Sequence, residues 1–565
     1  MILGIWDGHD AGACLLDGSS ILCAVNEERL TGKKLEVGFP GNSITRCLKF
    51  TGKDPGEIQA VSISTSDLAK TAGRVFPFLP RRHYLLRRRK KYLPFVDLQK
   101  KFKYWITTFG PNRLYKAITG SITRSKLKEF GLQDCKIFVV DHHLAHACGA
   151  GFCSPFESAT IITMDGLGDG ISGSARILEG GKLEPLHEIS ASDSLGIFFE
   201  QVTYLLGMRE LEDEGKVMAL ADYSLPVPDT DNPLLDLFEI DGIDVRSRLS
   251  PLKMFDYLKK IFWKTSFEQF ARMAQDTLEK KVTELVRNII SHTGNGNLCL
   301  AGGVFANVKL NMSIRNMPEV DGWYIFPHMG DGGLALSAAA LTNYELNGIS
   351  KISMKNIFLG PEYDEKEIEN SVRQSGLHYK YEPDIARTTA RLINEGKIIL
   401  WFQGRSEYGP RALGHRSILA PADSIEIKDA LNLKLKRRSW FQPFCPTILK
   451  QDAYELLSDY NGEPSPFMTM AYKIRPQQRD RLLAVISVDG TCRPQILDQD
   501  DDPLFRACLE NYRELSGIGC ILNTSFNIHG EPLVETPDDA IKTMKACGFP
   551  YLVIGNYLVF RGDVK

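Results

Sequence analysis

The sequence predicts an α/β protein of two domains, the first built by duplication, and three observations predict it. A strand, an Asp-Gly corner and a hairpin at the start of the chain recur around Asp165. A strand, a glycine pair and a helical stretch follow around Gly302, and beyond Lys351–Tyr363 helical and strand patterns alternate to the end.

In the first copy, Ile2 to Trp6 is a strand, Asp7-Gly8-His9-Asp10 a polar corner, Ala13 to Leu16 a strand, Asp17-Gly18 a turn and Ile21 to Asn26 a strand. In the second, the strand Ala159 to Thr163 leads to Asp165-Gly166-Leu167-Gly168-Asp169-Gly170, a strand from Ile171 to Leu178, a Gly180-Gly181 turn and another strand. A single Asp-Gly turn between strands is common. Its recurrence with the same neighbours points to a duplicated unit of the actin-like (ribonuclease H-like) kind, which holds nucleotide between its halves. The third element is the strand Leu298 to Ala301, the break Gly302-Gly303 and a helical stretch Val304 to Ile314 carrying Asn307. A glycine pair there lets a nucleotide approach the backbone and a helix N-terminus, which makes Gly302, Gly303 and Asn307 nucleotide-binding candidates. Past the junction come a helix over Ile385 to Glu395 and strands over Ile398 to Phe402 and from Ile521. The expected domains are 1–352 and 353–565.

With 565 residues, 43% hydrophobic and 24% charged, the chain is an ordinary globular protein too long for one core. A formal charge of -2 gives no overall bias toward nucleic acid or membrane, so an anionic ligand requires a local basic cluster. Residues 1–12 lack a signal-peptide pattern and no transmembrane-length apolar run occurs, so a cytoplasmic protein is expected. The 12 cysteines form no C-x-x-C pair and read as small buried hydrophobes.

The sharpest metal signal is Asp141-His142-His143-Leu144-Ala145-His146 at the expected start of a helix. His142 and His146, four apart, share a helix face with Cβ atoms roughly 6 Å apart, whereas His143 points elsewhere. Capping or surface roles are the alternative. Asp165 and Asp331, each followed by glycine, are the carboxylates that would complete the ligand set, and two imidazoles with two carboxylates suit iron(II), manganese or zinc.

Gly404 to Ser417 carries Arg405, Arg411 and Arg416 among glycines directly after a strand, a phosphate cradle in composition. Lys434, Lys436, Arg437 and Arg438 follow and add to the same anionic pocket. ATP or an acyl phosphate is the expected ligand.

These residues resemble, in order and over nearly the whole chain, the NodU and CmcH type O-carbamoyltransferases, a family that includes the enzyme carbamoylating tobramycin. The resemblance rests on Gly8-His9-Asp10-Ala11, Glu27-Glu28-Arg29, Phe39-Pro40, the histidine pair and Asp213 to Met218. It continues through Gly302-Gly303 with Asn307, Gly409 to Ser417, Ser465 to Met468, Asp489-Gly490-Thr491 with Arg493 and Gln495, and Asn523 to Asn527. It implies a C-terminal domain similar to YrdC that makes carbamoyl adenylate from carbamoyl phosphate and ATP with Mg2+. That site would include Arg405, Arg411, Arg416, Lys436, Arg438, Met468, Arg493, Asn523 and Ser525. It further implies transfer to a hydroxyl of a small-molecule acceptor in the N-terminal domain, with iron at His142, His146, Asp165 and Asp331. There His9 would act as base and Lys34 as carbamoyl contact. The resemblance admits a homodimer and implies no nucleic-acid or membrane partner.

Ser439, Gln442 and Ser487 depart from the family's usual acidic residue, arginine and histidine, which bears on the choice of donor. Another ATP-dependent carbamoyl or acyl transfer is the nearest alternative, and an actin-like kinase using Asp7, Asp10 and Asp165 is a second. The basic stretch Arg81 to Lys91 reads as a solvated helix face or a surface for an anionic partner.

Overall fold

The computed structural model describes residues 1–88, 109–436 and 438–562. The chain divides into two compact units, Met1–Glu27 with Leu35–Lys355 and Glu28–Lys34 with Asn356–Lys565.

In the first unit, β1 (Ile2–Trp6), β2 (Gly12–Asp17) and β3 (Ser20–Asn26) form an antiparallel meander. On the other side of β1 lie β4 (Ala60–Ser64) and then β5 (Lys136–Val140), both parallel, giving the order β3-β2-β1-β4-β5. The second sheet repeats this arrangement. The meander β6 (Ser158–Gly168), β7 (Ile171–Glu179) and β8 (Lys182–Ser190) precedes a small hairpin, β9 (Phe238–Asp241) and β10 (Asp244–Ser247). The strands β11 (Asn297–Ala301) and β12 (Gly322–Ile325) then add in parallel beside β6, in the order β12-β11-β6-β7-β8. The same strand order twice is the duplicated actin-like unit that the two Asp-Gly hairpins predicted.

Small residues bring the layers together. The helix Leu334–Asn347 is buried from Leu334 to Asn343 and rests on β1, where a Cβ at Gly4 would fall 1.8 Å from the Ala335 carbonyl oxygen. Ser62 on β4 donates to the Ala338 carbonyl (2.8 Å) and accepts from Thr342 (2.8 Å). The helix His142–Phe152, buried over ten residues, lies against it, and a Cβ at Gly149 would meet the Ser337 hydroxyl at 2.2 Å. Close backbone approach of this kind maximises dispersion contacts and fixes both helix N-termini relative to the strand ends.

One expected element differs. The stretch Val304 to Ile314 is a 3-10 turn (Gly303–Ala306) and a separate helix (Val308–Arg315), divided at Asn307. Asn307 leaves helical geometry (ψ 97°), and its side chain accepts from the Leu310 N–H, so an amide that competes with the backbone caps the helix instead of continuing it.

The second unit is built on an eight-stranded mixed sheet. Its strands are β13 (His378–Tyr381), β14 (Ile399–Phe402), β15 (Arg416–Pro421), β16 (Cys445–Leu449), β19 (Gln495–Leu497), β20 (Cys520–Ser525), β21 (Tyr551–Ile554) and β22 (Tyr557–Phe560). Their order is β13-β22-β21-β14-β15-β20-β16-β19, and β17 (Tyr472–Lys473) pairs with β18 (Thr491–Cys492) apart from it. Helices Ile385–Asn394, Pro503–Ser516 and Pro537–Cys547 supply the α layers. Glu28–Lys34 belongs to this unit, and Arg29 donates to the Gly409 carbonyl (2.6 Å).

All twelve cysteines are free and ten are buried. Among the described residues no helix is long and apolar enough to cross a membrane. Of the basic stretch, Arg81 donates to the Val37 carbonyl (3.2 Å), while Arg89, Lys90, Lys91 and Tyr92, like Arg437, lie outside the described residues.

Candidate functional site

The histidine pair opens the helix that follows β5. Its N-terminus is held by Asp169, whose carboxylate accepts from the His142 backbone N–H (2.7 Å), the Ser66 N–H (3.3 Å) and the Thr65 hydroxyl. Asp169 has φ +54°, a left-handed conformation that aspartate tolerates. One turn on, His146 brings its ring centroid 4.8 Å from that of His142.

Asp165 leaves the β6 ladder where the β6–β7 register shifts between Met164 and Gly168, an irregularity that re-aims its side chain. Asp331 starts the turn Asp331–Gly333 before the helix Leu334–Asn347. His146 Nε2 lies 3.4 Å from Asp165 Oδ2 and 3.5 Å from Asp331 Oδ1; His142 Nε2 lies 3.9 Å and 3.5 Å from the same atoms. The four donors all fall within 4.8 Å of one another. Ligands on bonds of about 2.1 Å around one cation stand about 3 to 3.4 Å apart, near the spacing here. Both histidines are buried, and His142 Nε2, His146 Nε2 and Asp165 Oδ2 have no hydrogen-bond partner. Orphaned donors aimed at one point at this spacing fit a shared divalent cation.

The electrostatics agree. Burial opposes charge on His146, but Asp165 and Asp331 raise its pKa to about 9. Burial likewise opposes charge on Asp165 and Asp331, yet His142 and His146 hold the Asp165 carboxyl well below the usual range, and His142 and His9 lower that of Asp331. His143 points away from the cluster into the core, where Nδ1 is 2.9 Å from the Thr163 hydroxyl; burial and the two neighbouring imidazoles push its pKa well down.

Asp331 also faces the first corner. Its Oδ2 lies 3.5 Å from His9 Nδ1, and the Tyr84 hydroxyl lies 3.5 Å from that nitrogen. Trp6 anchors the corner by donating its indole N–H to the His9 carbonyl (2.7 Å). Asp7, by contrast, is taken by a two-pronged ion pair with Arg74 (2.8 Å and 2.8 Å), which lowers its pKa against the effect of burial. Asp7 and Asp165 end the first strands of the two repeats, but only Asp165 is turned to the cluster.

Gly302 (φ +100°) lies so close to β6 that a Cβ would fall 2.1 Å from the Met164 carbonyl oxygen, and a Cβ at Gly303 would fall 3.1 Å from Asp165 Oδ1. The glycine pair therefore gives Asp165 its room. Asn307 exchanges hydrogen bonds with Gln275 (2.8 Å and 3.1 Å). Lys34, expected as a carbamoyl contact in the first domain, falls in the second unit.

In that unit the arginine loop divides. Arg405 donates to the Leu359 and Gly360 carbonyls (2.6 Å and 2.8 Å). Arg416, fully buried, donates to the Gln403 and Gly404 carbonyls and lies 3.6 Å over Phe402. Both arginines brace the loop. Arg411, Arg438, Arg493 and Lys436 form the remaining basic group. Burial and Arg493 lower Arg411 to about 9, while burial and Arg493, opposed by Cys445, leave Arg438 at about 10. Burial, Arg438 and Lys34 push Lys436 well down. Arg493 donates to Cys445 Sγ (3.0 Å and 3.2 Å). Lys436 donates to Ser525 Oγ (3.0 Å) and Asn527 Oδ1 (2.6 Å). Among the described residues, none of the four has a carboxylate within ion-pair distance. Asn523, on β20 opposite Cys445, donates to Thr447 (3.0 Å) and leaves its Oδ1 buried without a partner. Met468 is buried at φ +55°.

Sequence reasoning missed Arg74, Asp169 and Tyr84. Only Arg74 left a local signal, as the second of two cations four apart (Lys70, Arg74).

The sequence matches the family description "Carbamoyltransferase N-terminus" over residues 1–340 and "Carbamoyltransferase C-terminus" over residues 390–561. It is 34% identical to an uncharacterized protein of Methanocaldococcus jannaschii, covering 99% of this chain and 100% of that protein. It is 31% identical to the nodulation protein NolNO of Sinorhizobium fredii, covering 98% and 79%. Among solved structures it is similar to full-length HypF in its phosphate- and nucleotide-bound form, at 14% identity, 62% and 56% coverage and a TM-score of 0.33.

Proposed function

The chain belongs to the carbamoyltransferase family, and from that premise we propose that it makes carbamoyl adenylate from carbamoyl phosphate and ATP and passes the carbamoyl group to a hydroxyl of a small-molecule acceptor, such as a sugar or another natural product. The observation that carries this is the group Arg411, Arg438, Arg493 and Lys436, with Lys436 buried and the arginines part-buried, which among the described residues has no carboxylate within ion-pair distance. Four cations in one site repel one another and lose hydration, a cost that a polyanionic substrate offsets.

In the YrdC-like unit these cations hold the phosphates of both substrates. Hydrolysis of carbamoyl phosphate leaves carbamate and phosphate; a carbamate oxygen then attacks the α-phosphate of ATP and pyrophosphate departs. The orphaned Asn523 Oδ1 is an acceptor suited to the carbamoyl N–H2. Arg405 and Arg416 keep the loop in shape, and Ser525 orients Lys436.

In the actin-like unit Gly302, Gly303 and Asn307 line the approach of the nucleotide. A divalent cation held by His142, His146, Asp165 and Asp331, iron(II) in our reading, would supply positive charge for the adenylate phosphate. His9 takes the acceptor's proton as its oxygen attacks the carbamoyl carbon, and the carbon–oxygen bond to AMP breaks with the electron pair going to the phosphate. Asp331 orients the His9 ring so that Nε2 faces the hydroxyl. The Asp7–Arg74 ion pair disfavours the kinase alternative, because it occupies one of the three carboxylates that would serve magnesium and a base.

Incubating the full chain with ATP tests this. Pyrophosphate should form only when carbamoyl phosphate is present; ADP formation would favour a kinase.

A further inference from the structure

The helix Leu68–Val75 directs two cations, four residues apart, at the first hairpin corner. Arg74 pairs with Asp7, so those charges cancel. Lys70 has no such partner. The Asp67 carboxylate caps the helix by accepting the Lys70 backbone N–H (2.6 Å), and among the described residues no carboxylate lies within ion-pair distance of the Lys70 ammonium.

Instead the ammonium is held 4.0 Å from the centre of the Trp6 ring. It occupies the place a side chain at Gly8 would take, 2.2 Å from the position of that Cβ. The same indole donates to the His9 carbonyl and lies 5.9 Å from the His142 ring. One aromatic plate thus fixes a part-exposed cation, without an ion-pair partner among the described residues, at the corner that carries His9. Burial lowers the Lys70 pKa, with the charges of Asp7 and Asp331 opposing.

We propose that Lys70 is a catalytic cation of the transfer step, placed to stabilise the negative charge that builds on the carbamoyl oxygen as the acceptor hydroxyl attacks. The inference rests on the transfer reading given above. The acceptor oxygen bonds to the carbamoyl carbon, its proton passes to His9, and the carbonyl π-electrons shift to the carbamoyl oxygen beside Lys70. They return as the bond to AMP breaks. A cation one residue from the base suits that oxygen better than the phosphate, which the histidine and aspartate cluster faces.

Water serves as the surrogate acceptor in the test, because breakdown of carbamoyl adenylate to AMP and carbamate needs the same oxyanion stabilisation. Full-length wild type, Lys70→Gln and Lys70→Arg are given ATP and carbamoyl phosphate, and the pyrophosphate burst and steady-state AMP release are recorded with thermal melting. Lys70→Gln should keep the burst and lose AMP turnover by about 100-fold, as for loss of one oxyanion donor. Lys70→Arg should recover a substantial part, with the amplitude and rate of the pyrophosphate burst unchanged in both. AMP release by Lys70→Gln at the wild-type rate would overturn the proposal. So would equal losses in the Gln and Arg variants that track melting temperature, since that marks packing on Trp6 alone. A wild type without a carbamoyl-phosphate-dependent burst would overturn the two-step reading itself, and this inference with it.

Discussion

The Asp331 carboxylate stands 3.5 Å from His9 Nδ1 through one oxygen, while its other oxygen faces the His142–His146 pair. One side chain therefore couples the candidate base to the candidate metal cluster. Asp331→Asn should disturb both: bound metal, read by elemental analysis, should fall at least 10-fold, and AMP turnover about 100-fold. The pyrophosphate burst should stay within about two-fold, because Asp331 lies in the first unit and the proposed adenylating residues in the second. Unchanged metal content would remove Asp331 from the ligand set.

His143 tests the direction of its neighbours by contrast. Spacing places His143 away from the shared face of His142 and His146, and its ring is 1% exposed and bonded to Thr163. His143→Ala should therefore cost about 2 to 4 kcal/mol of stability through the cavity and the lost hydrogen bond, yet leave the metal stoichiometry of the folded protein intact. Loss of metal without loss of stability would contradict this.

The arginine loop should separate into two phenotypes. Arg411→Ala and Arg493→Ala should raise KM for carbamoyl phosphate about 10- to 100-fold at nearly normal melting temperature. Arg416→Ala should mainly lower the melting temperature, since it leaves the buried Gln403 and Gly404 carbonyls without donors. Steady-state kinetics beside calorimetry distinguishes them, and a purely kinetic effect at Arg416 would contradict the bracing role.

The Asp7–Arg74 pair predicts a pH signature. Arg74 depresses the Asp7 pKa, so the pair's contribution is present above the carboxyl's unfolded pKa of about 4 and is lost as pH falls through the lower folded value. Arg74→Met strands a buried carboxylate and should cost about 3 to 5 kcal/mol at pH 7. Without Arg74 the Asp7 pKa rises, so the deficit should shrink at pH 5 as Asp7 protonates. A deficit independent of pH would mean the loss is one of packing.

Much of this was legible in the sequence because it is local. The two Asp-Gly hairpins gave away the duplication, and the i, i+4 histidines their shared face. Asp165 and Asp331 could be chosen as carboxylates but not positioned, because the irregularity in β6 and the turn before Leu334 bring them in from 166 residues apart. Which arginine braces a loop depends on the carbonyls it reaches across the fold, and Arg405 and Arg411 look alike in a chain of letters. The membership of Glu28–Lys34 in the second unit rests on contacts such as Arg29 with Gly409, which leave no periodic trace. Lys70 and Arg74 resemble a solvated helix face until Asp7 and Trp6 are seen opposite them.

The central claim is the adenylate itself, and trapping it is the most direct measurement. Full-length His142→Ala, in which transfer should be blocked and adenylation intact, is mixed with ATP and carbon-13-labelled carbamoyl phosphate, quenched within one turnover and analysed by mass spectrometry. The account predicts labelled carbamoyl carried on AMP, with one pyrophosphate released per adenylate. Label that never joins the nucleotide, with ATP converted to ADP, would contradict it.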